Sequence, residues 1–135
     1  EFSAVTKVTF KPNVVGERAG FIVMGYSYAM LALDYTRESI VLSQVECRNA
    51  EKNGEEKVNA SQKLTSDTFF LKITVKEGDK CTFFYSEDGN SYTQIGKEFT
   101  AREGRWIGAK VGYFINRPSM SSGGGWLDVD WFRIE

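Results

Sequence analysis

Across residues 68–75 the side chains alternate without a break, with Phe69, Leu71, Ile73 and Val75 on one side and Phe70, Lys72 and Thr74 on the other. A strand turns successive side chains to opposite faces, whereas an amphipathic helix needs apolar residues every three or four positions. A period of two over eight residues therefore points to a half-buried β-strand. The pattern recurs along the chain. Residues 2–10 place Phe2, Ala4, Thr6, Val8 and Phe10 on one face and stop at Lys11-Pro12-Asn13. Residues 19–26 and 28–35 are apolar runs joined by a Tyr-Ser-Tyr link, and residues 39–47 are rich in Ile, Val and Leu. A polar stretch over 48–57 carries Asn53-Gly54, a turn dipeptide. Residues 80–86 and 91–95 flank Glu87-Asp88-Gly89-Asn90, where Asp-Gly predicts a tight hairpin. No window holds a 3.6-residue apolar period over three turns. Many short strands punctuated by turn signals specify an all-β, two-sheet antiparallel sandwich over residues 1–135, as a single domain.

Two segments near the C-terminus carry the strongest surface signal. In Arg105-Trp106-Ile107-Gly108-Ala109-Lys110-Val111-Gly112-Tyr113-Phe114, the residues Ile107, Ala109, Val111 and Tyr113 share one face with Ile115. Trp106, Lys110 and Phe114 share the other, with Gly108 and Gly112 between them. Missing side chains there leave the backbone open to a flat partner, such as a sugar ring or another domain. The closing strand runs Trp126-Leu127-Asp128-Val129-Asp130-Trp131-Phe132-Arg133-Ile134. In it Trp131 and Phe132 follow the core register, as do Phe69, Phe83 and Tyr85 elsewhere.

Composition narrows the chemistry. With 135 residues, 41% of them hydrophobic, the chain is long enough for one real core. A net charge of -1 gives no nucleic-acid footprint. No apolar run reaches the length of a membrane helix, and no signal peptide is visible. The opening Glu1-Phe2 is also what a common cloning site encodes, which suggests an excised module. There is no histidine, so Ser-His-Asp and Cys-His nucleophiles and most zinc sites are excluded. Cys47 and Cys81 both sit among alternating apolar residues, which predicts burial. Two buried thiols or one disulfide both fit, because spacing alone fixes neither. Asn59-Ala60-Ser61 matches a glycosylation acceptor, a short motif common by chance.

Several blocks in order resemble the C-terminal sandwich of glycoside hydrolase family 43, which contains β-xylosidases and α-arabinofuranosidases. They are Ala19-Gly20-Phe21-Ile22-Val23-Met24-Gly25, Tyr28-Ala29-Met30-Leu31, Val45-Glu46-Cys47-Arg48-Asn49-Ala50, Phe83-Phe84-Tyr85-Ser86-Glu87-Asp88-Gly89, residues 104–112 and Asp128-Val129-Asp130-Trp131-Phe132. The resemblance spans almost the whole chain. It implies a concanavalin A-like jelly roll that accompanies a five-bladed catalytic propeller, in a secreted or periplasmic xylan- or arabinan-degrading enzyme. Such sandwiches bind xylan-type chains or brace the catalytic pocket, and residues 108–113 resemble the part that approaches the propeller. A purely structural interaction domain or a free-standing lectin-like module are the competing classes.

The candidate site residues follow. Sugar recognition needs aromatic faces and polar groups, which nominates Tyr26, Tyr28, Trp106, Phe114 and Trp126 with Lys72, Lys110, Asn116 and Arg117. The same residues are candidates for interdomain contact, Lys110 above all. Partners are therefore xylan or arabinoxylan chains and the propeller, with no nucleic acid and no membrane. Asp128 and Asp130 stand two apart on one strand, about 7 Å between carboxylates. Paired carboxylates serve glycoside cleavage in principle. Concanavalin A-like glucanases, however, use a Glu-x-Asp-x-Glu run, which Asp-Val-Asp-Trp-Phe lacks. No catalytic residue is assigned, and no cofactor is required. Asp128 and Asp130, or Asp88, are candidates for a structural calcium ion.

Overall fold

The computed structural model describes residues 1–104, 108–118 and 123–135. Among them eleven strands form two antiparallel sheets. In chain order these are β1 (Phe2–Lys11), β2 (Arg18–Met24), β3 (Tyr28–Tyr35), β4 (Ile40–Cys47), β5 (Glu56–Leu64), β6 (Thr68–Lys76), β7 (Lys80–Ser86), β8 (Thr93–Gln94), β9 (Phe99–Thr100), β10 (Lys110–Asn116) and β11 (Trp126–Ile134). Sheet A runs β11-β1-β6-β7-β8, with β9 also paired to β7, and sheet B runs β10-β2-β3-β4-β5. The helical turn among the described residues is a 3-10 turn, Ala50–Lys52. The strand pattern read from the sequence is thus realised as a concanavalin A-like sandwich.

The alternation in β6 does what it implies. Phe69, Leu71 and Ile73 are buried between the sheets, with Phe83 from β7 and Ala4, Val8 and Phe10 from β1. They meet Phe21, Leu31, Leu33 and Leu42 from sheet B. Each fully buried side chain of this size stabilises the fold by about 1.5–3 kcal/mol. Val75, Tyr85 and Val111 pack against the rim of that core, half-buried.

Two parts of the core expectation are corrected. Trp131 lies on the outer face of sheet A, its ring 6.0 Å from Phe70 and the Arg133 guanidinium 4.3 Å above it. The cause is a β-bulge. Lys7 opposes Trp131 and Val8 opposes Val129, so Asp130 is one residue too many. The extra residue reverses the alternation, sending Phe132 and Ile134 inward and Trp131 and Arg133 outward. Tyr113 does face inward, stacked on Phe21 at 5.3 Å with its hydroxyl donating to Thr6 Oγ1 at 2.8 Å. It remains 37% exposed because β10 is an edge strand.

Other differences are local. The strand β5 went unread because its Glu-Lys-Val-Asn-Ala-Ser-Gln-Lys-Leu sequence is polar on both sides, as suits an outermost strand. Of residues 91–95, Thr93–Gln94 pair with β7 and the Ile95 N–H donates to the Phe83 carbonyl at 2.9 Å. The expected tight hairpin is a wider loop, in which Ser86 and Asp88 side chains cap the backbone N–H groups of Gly89, Asn90 and Ser91. Both cysteines are buried free thiols. Cys47 lies opposite Tyr28 on the outer face of sheet B, while Cys81 faces the core from sheet A, so the disulfide alternative fails on geometry.

Candidate functional site

Strands β2 and β3 are apolar on both faces. That composition gives sheet B a second, outward cluster besides the main core: Met30, Ala32 and Val45 are buried there, with Ile22, Tyr28 and Phe114 packed against them. The antiparallel registers arrange this face in rows. Phe114 sits beside Gly20 and Ala32, Gly112 beside Ile22, Met30 and Val45, and Lys110 beside Met24, Tyr28 and Cys47. Gly20 is obligatory in the first row. A Cβ there would stand 2.6 Å from the Phe114 ring and 2.5 Å from the Leu31 carbonyl oxygen. At Gly108, just before β10, and at Gly112 within it, a Cβ would meet no described atom within 4 Å, so the backbone there is open to approach.

A polar wall closes one side of the patch. Tyr28 donates its hydroxyl to Glu56 Oε1 at 2.7 Å, and Arg18 donates to Glu56 Oε2 at 3.0 Å and to Asp34 Oδ1 at 2.7 Å. Burial, then the Glu56 hydrogen bond, pushes the Tyr28 phenol up. The Arg18 guanidinium is also pushed up, because hydrogen bonds to Asp34 and Glu56 outweigh its partial burial. Arg18, Tyr28 and Glu56 line a cavity of about 270 Å3 with Ile22, Met24, Met30, Tyr113, Phe114 and Asn116.

Of the residues nominated from the sequence, Tyr28, Phe114 and Asn116 line this cavity, and Lys110 stands exposed at its end opposite Met24. The others lie elsewhere. Tyr26 is in the turn between β2 and β3, under the Arg102 guanidinium at 5.9 Å. Arg117 donates to the Gly123 carbonyl. Lys72 is on the outer face of sheet A between the Phe84 and Tyr92 rings. Trp126 is exposed on β11 and donates its indole N–H to Asp128 at 3.1 Å. Trp106 and Ile107 lie outside the described residues. Asp130 pairs with Lys7 at 3.6 Å. Among the described residues no group of three or more His, Cys, Asp or Glu is placed to hold a metal. The Asn59 amide donates inward to Gln44 and Glu46 at 3.0 and 3.3 Å, so it is engaged within the fold.

Sequence reasoning missed Arg18, Ile22, Met24, Met30 and Glu56. The available signal was the apolar outward run of Ile22 and Met24 in β2 and Met30 and Ala32 in β3, which a strand with a solvated outer face does not show.

The whole chain, residues 1–135, matches the model of the beta-xylosidase C-terminal concanavalin A-like domain of glycoside hydrolase family 43. The chain belongs to that family. Among solved structures, the GH43 protein BlXynB of Bacillus licheniformis is 27% identical with a TM-score of 0.78, over 98% of this chain and 27% of that one. A bifunctional GH43-CE protein of Bacteroides eggerthii shares the fold, with a TM-score of 0.84 at 19% identity, over 99% of this chain and 17% of that one. A beta-xylosidase of Formosa agariphila is 28% identical over 72 residues, which are 53% of this chain and 12% of that enzyme. The xylosidase-type domain therefore spans about a quarter, or less, of the length of these relatives.

Proposed function

We propose that this domain is a non-catalytic brace in a larger GH43 hydrolase, docking against the rest of that enzyme, a catalytic propeller, through the surface around β10. The observation that carries the reading is an apolar surface that wraps both sides of one edge strand. On its outward side lie Phe114 and the neighbouring Met24, 55% exposed. On the inward side, the open edge between β10 and β11 leaves Ile115 48%, Phe132 45% and Ile134 58% exposed. Contiguous apolar surface of this kind marks a protein contact. The nearby polar groups are largely spent on each other, through Arg18, Asp34, Glu56 and Tyr28, which leaves few free donors or acceptors for sugar hydroxyls.

Pentose binding at the same patch is the second reading, favoured by the Tyr28 and Phe114 rings and the Asn116 amide around one cavity. Calorimetry separates the two. Produced apart, the catalytic portion of the parent enzyme binds this domain, and Met24→Lys or Ile134→Lys weakens that association at least tenfold. Heat from xylo- or arabino-oligosaccharides that Phe114→Ala abolishes, with no binding to the catalytic portion, assigns the patch to sugar instead.

A further inference from the structure

We propose that the outer face of sheet A, on the other side of the sandwich from the docking patch, binds a xylan-type polysaccharide bearing uronic acid groups. Two rows cross this face strand by strand. Trp131, Lys7, Phe70 and Ser86 form one, and Arg133, Val5, Lys72, Phe84 and Gln94 the next. Four strand spacings of about 4.8 Å make the second row roughly 19 Å long, enough for a short oligosaccharide. Val5 is 4% exposed although it points outward, so the cations and rings around it form a continuous layer.

The cations in that layer are held by rings and not by carboxylates. Lys72 Nζ lies 5.0 Å from the Phe84 centroid and 4.9 Å from that of Tyr92, and the Arg133 guanidinium lies 4.3 Å from Trp131. A ring face fixes a cation's position without cancelling its charge, so the cation stays available to an anion. Further along, Lys76 and Lys80 oppose each other past the Thr74–Thr82 pair. Among the described residues none of Lys72, Lys76, Lys80 and Arg133 forms an ion pair; Lys7 is shared with Asp130. Burial, then the negative charges of Glu135 and Asp88, pushes the Tyr92 phenol up. On a chain of net charge -1, four cations without an ion pair on one face are complementary to carboxylates spaced along a chain, with Asp128, Asp130 and Glu135 confined to the β11 side of that face. The Thr82 hydroxyl and the Gln94 amide are there for sugar hydroxyls, while the Thr74 hydroxyl is shared with Ser3 at 2.9 Å. Nucleic acid fits less well, because a chain of net charge -1 lacks the broad basic excess that a phosphate backbone requires.

The test is affinity electrophoresis or calorimetry of this domain with four polymers: glucuronoxylan, the same polymer after carboxyl reduction, neutral arabinoxylan and heparin. Glucuronoxylan binds, and carboxyl reduction weakens binding at least tenfold. Lys72→Gln with Arg133→Gln has the same effect while Phe114→Ala has none. Lys76→Gln with Lys80→Gln, at two exposed positions, gives an independent loss should the first pair perturb the fold. Equal affinity for the reduced polymer, no binding at all, or heparin binding as tight as glucuronoxylan would each overturn the assignment. The outcome does not depend on whether the β10 surface docks a catalytic domain.

Discussion

At the scale of single residues, a few side chains hold loops and strands where packing alone would not. Glu17 is 2% exposed, and its carboxylate accepts from the backbone N–H of Asn13 at 2.7 Å and of Gly125 at 2.9 Å. It thereby joins the loop after β1 to the loop before β11. Burial alone would raise its pKa, but the N–H groups of Asn13, Gly125 and Val14 and the charge of Arg117 bring it below the usual value. A carboxyl depressed in the folded chain contributes stability that is complete above its unfolded pKa, about 4.3, and is lost as pH falls through the folded value. Asp67, held down by Lys11, and Asp88, held down by the Ser91 and Asn90 N–H groups, act with the same sign. The thermal midpoint is therefore flat from neutral pH to about 5 and declines below it. Glu17→Gln costs about 1–3 kcal/mol at pH 7, because buried donors lose their anion, and it flattens part of the acid decline. A Glu17→Gln midpoint that declines as steeply as that of the parent chain would place the acid sensitivity elsewhere. The two kinds of glycine offer a second check. Gly20→Ala collides with the Leu31 carbonyl and the Phe114 ring and costs about 1–3 kcal/mol, whereas Gly112→Ala changes the midpoint little.

At the scale of elements, β11 shows how one extra residue redirects a strand. The Asp130 bulge places Trp131 outside sheet A and Phe132 at the open edge. Trp131→Ala then removes a surface cation–π contact and a tilted ring pair, at about 1–2 kcal/mol in all. Phe69→Ala empties a fully buried site and costs about 3–5 kcal/mol. Chemical denaturation of both variants decides the point, since a Trp131→Ala loss matching Phe69→Ala would return Trp131 to the core. Strand β5 makes the complementary case. Its polar sequence hides it, yet Asn59, one extra residue opposite Gln44 and Val45, binds the buried Gln44 amide oxygen and ties the strand to the sandwich.

For the molecule as a whole, the free thiols and the family assignment lead to solution behaviour. Burial, with the nearby charges of Asp79 and Glu98, pushes the Cys81 thiol up to about 11. Neither Cys47 nor Cys81 then reacts with a thiol reagent at neutral pH until the chain unfolds, and reductant leaves both mass and midpoint unchanged. A shift of two mass units on reduction would contradict the free-thiol geometry. The purified domain does not release product from xylan or aryl pentosides. Turnover abolished by Asp128→Asn or Asp130→Asn would refute this, although Asp128 is engaged by the Trp126 indole and Asp130 by Lys7.

The sequence alone determined that the chain is a stack of short antiparallel strands, because period-two alternation and turn dipeptides are local properties of backbone and side chain. It also carried the family resemblance, and it named Tyr28, Phe114, Asn116 and Lys110. What it could not supply is parity across a bulge or the identity of neighbours across a sheet. The alternation of β11 is legible only up to Asp130, since the extra residue is defined by its partner Lys7–Val8 in β1. Likewise Arg18, Tyr28 and Glu56 lie on three strands separated in the chain, and only the registers of sheet B bring them together around one cavity. Local chemistry sets which face a side chain takes within its own strand, and the tertiary pairing of strands decides what shares that face.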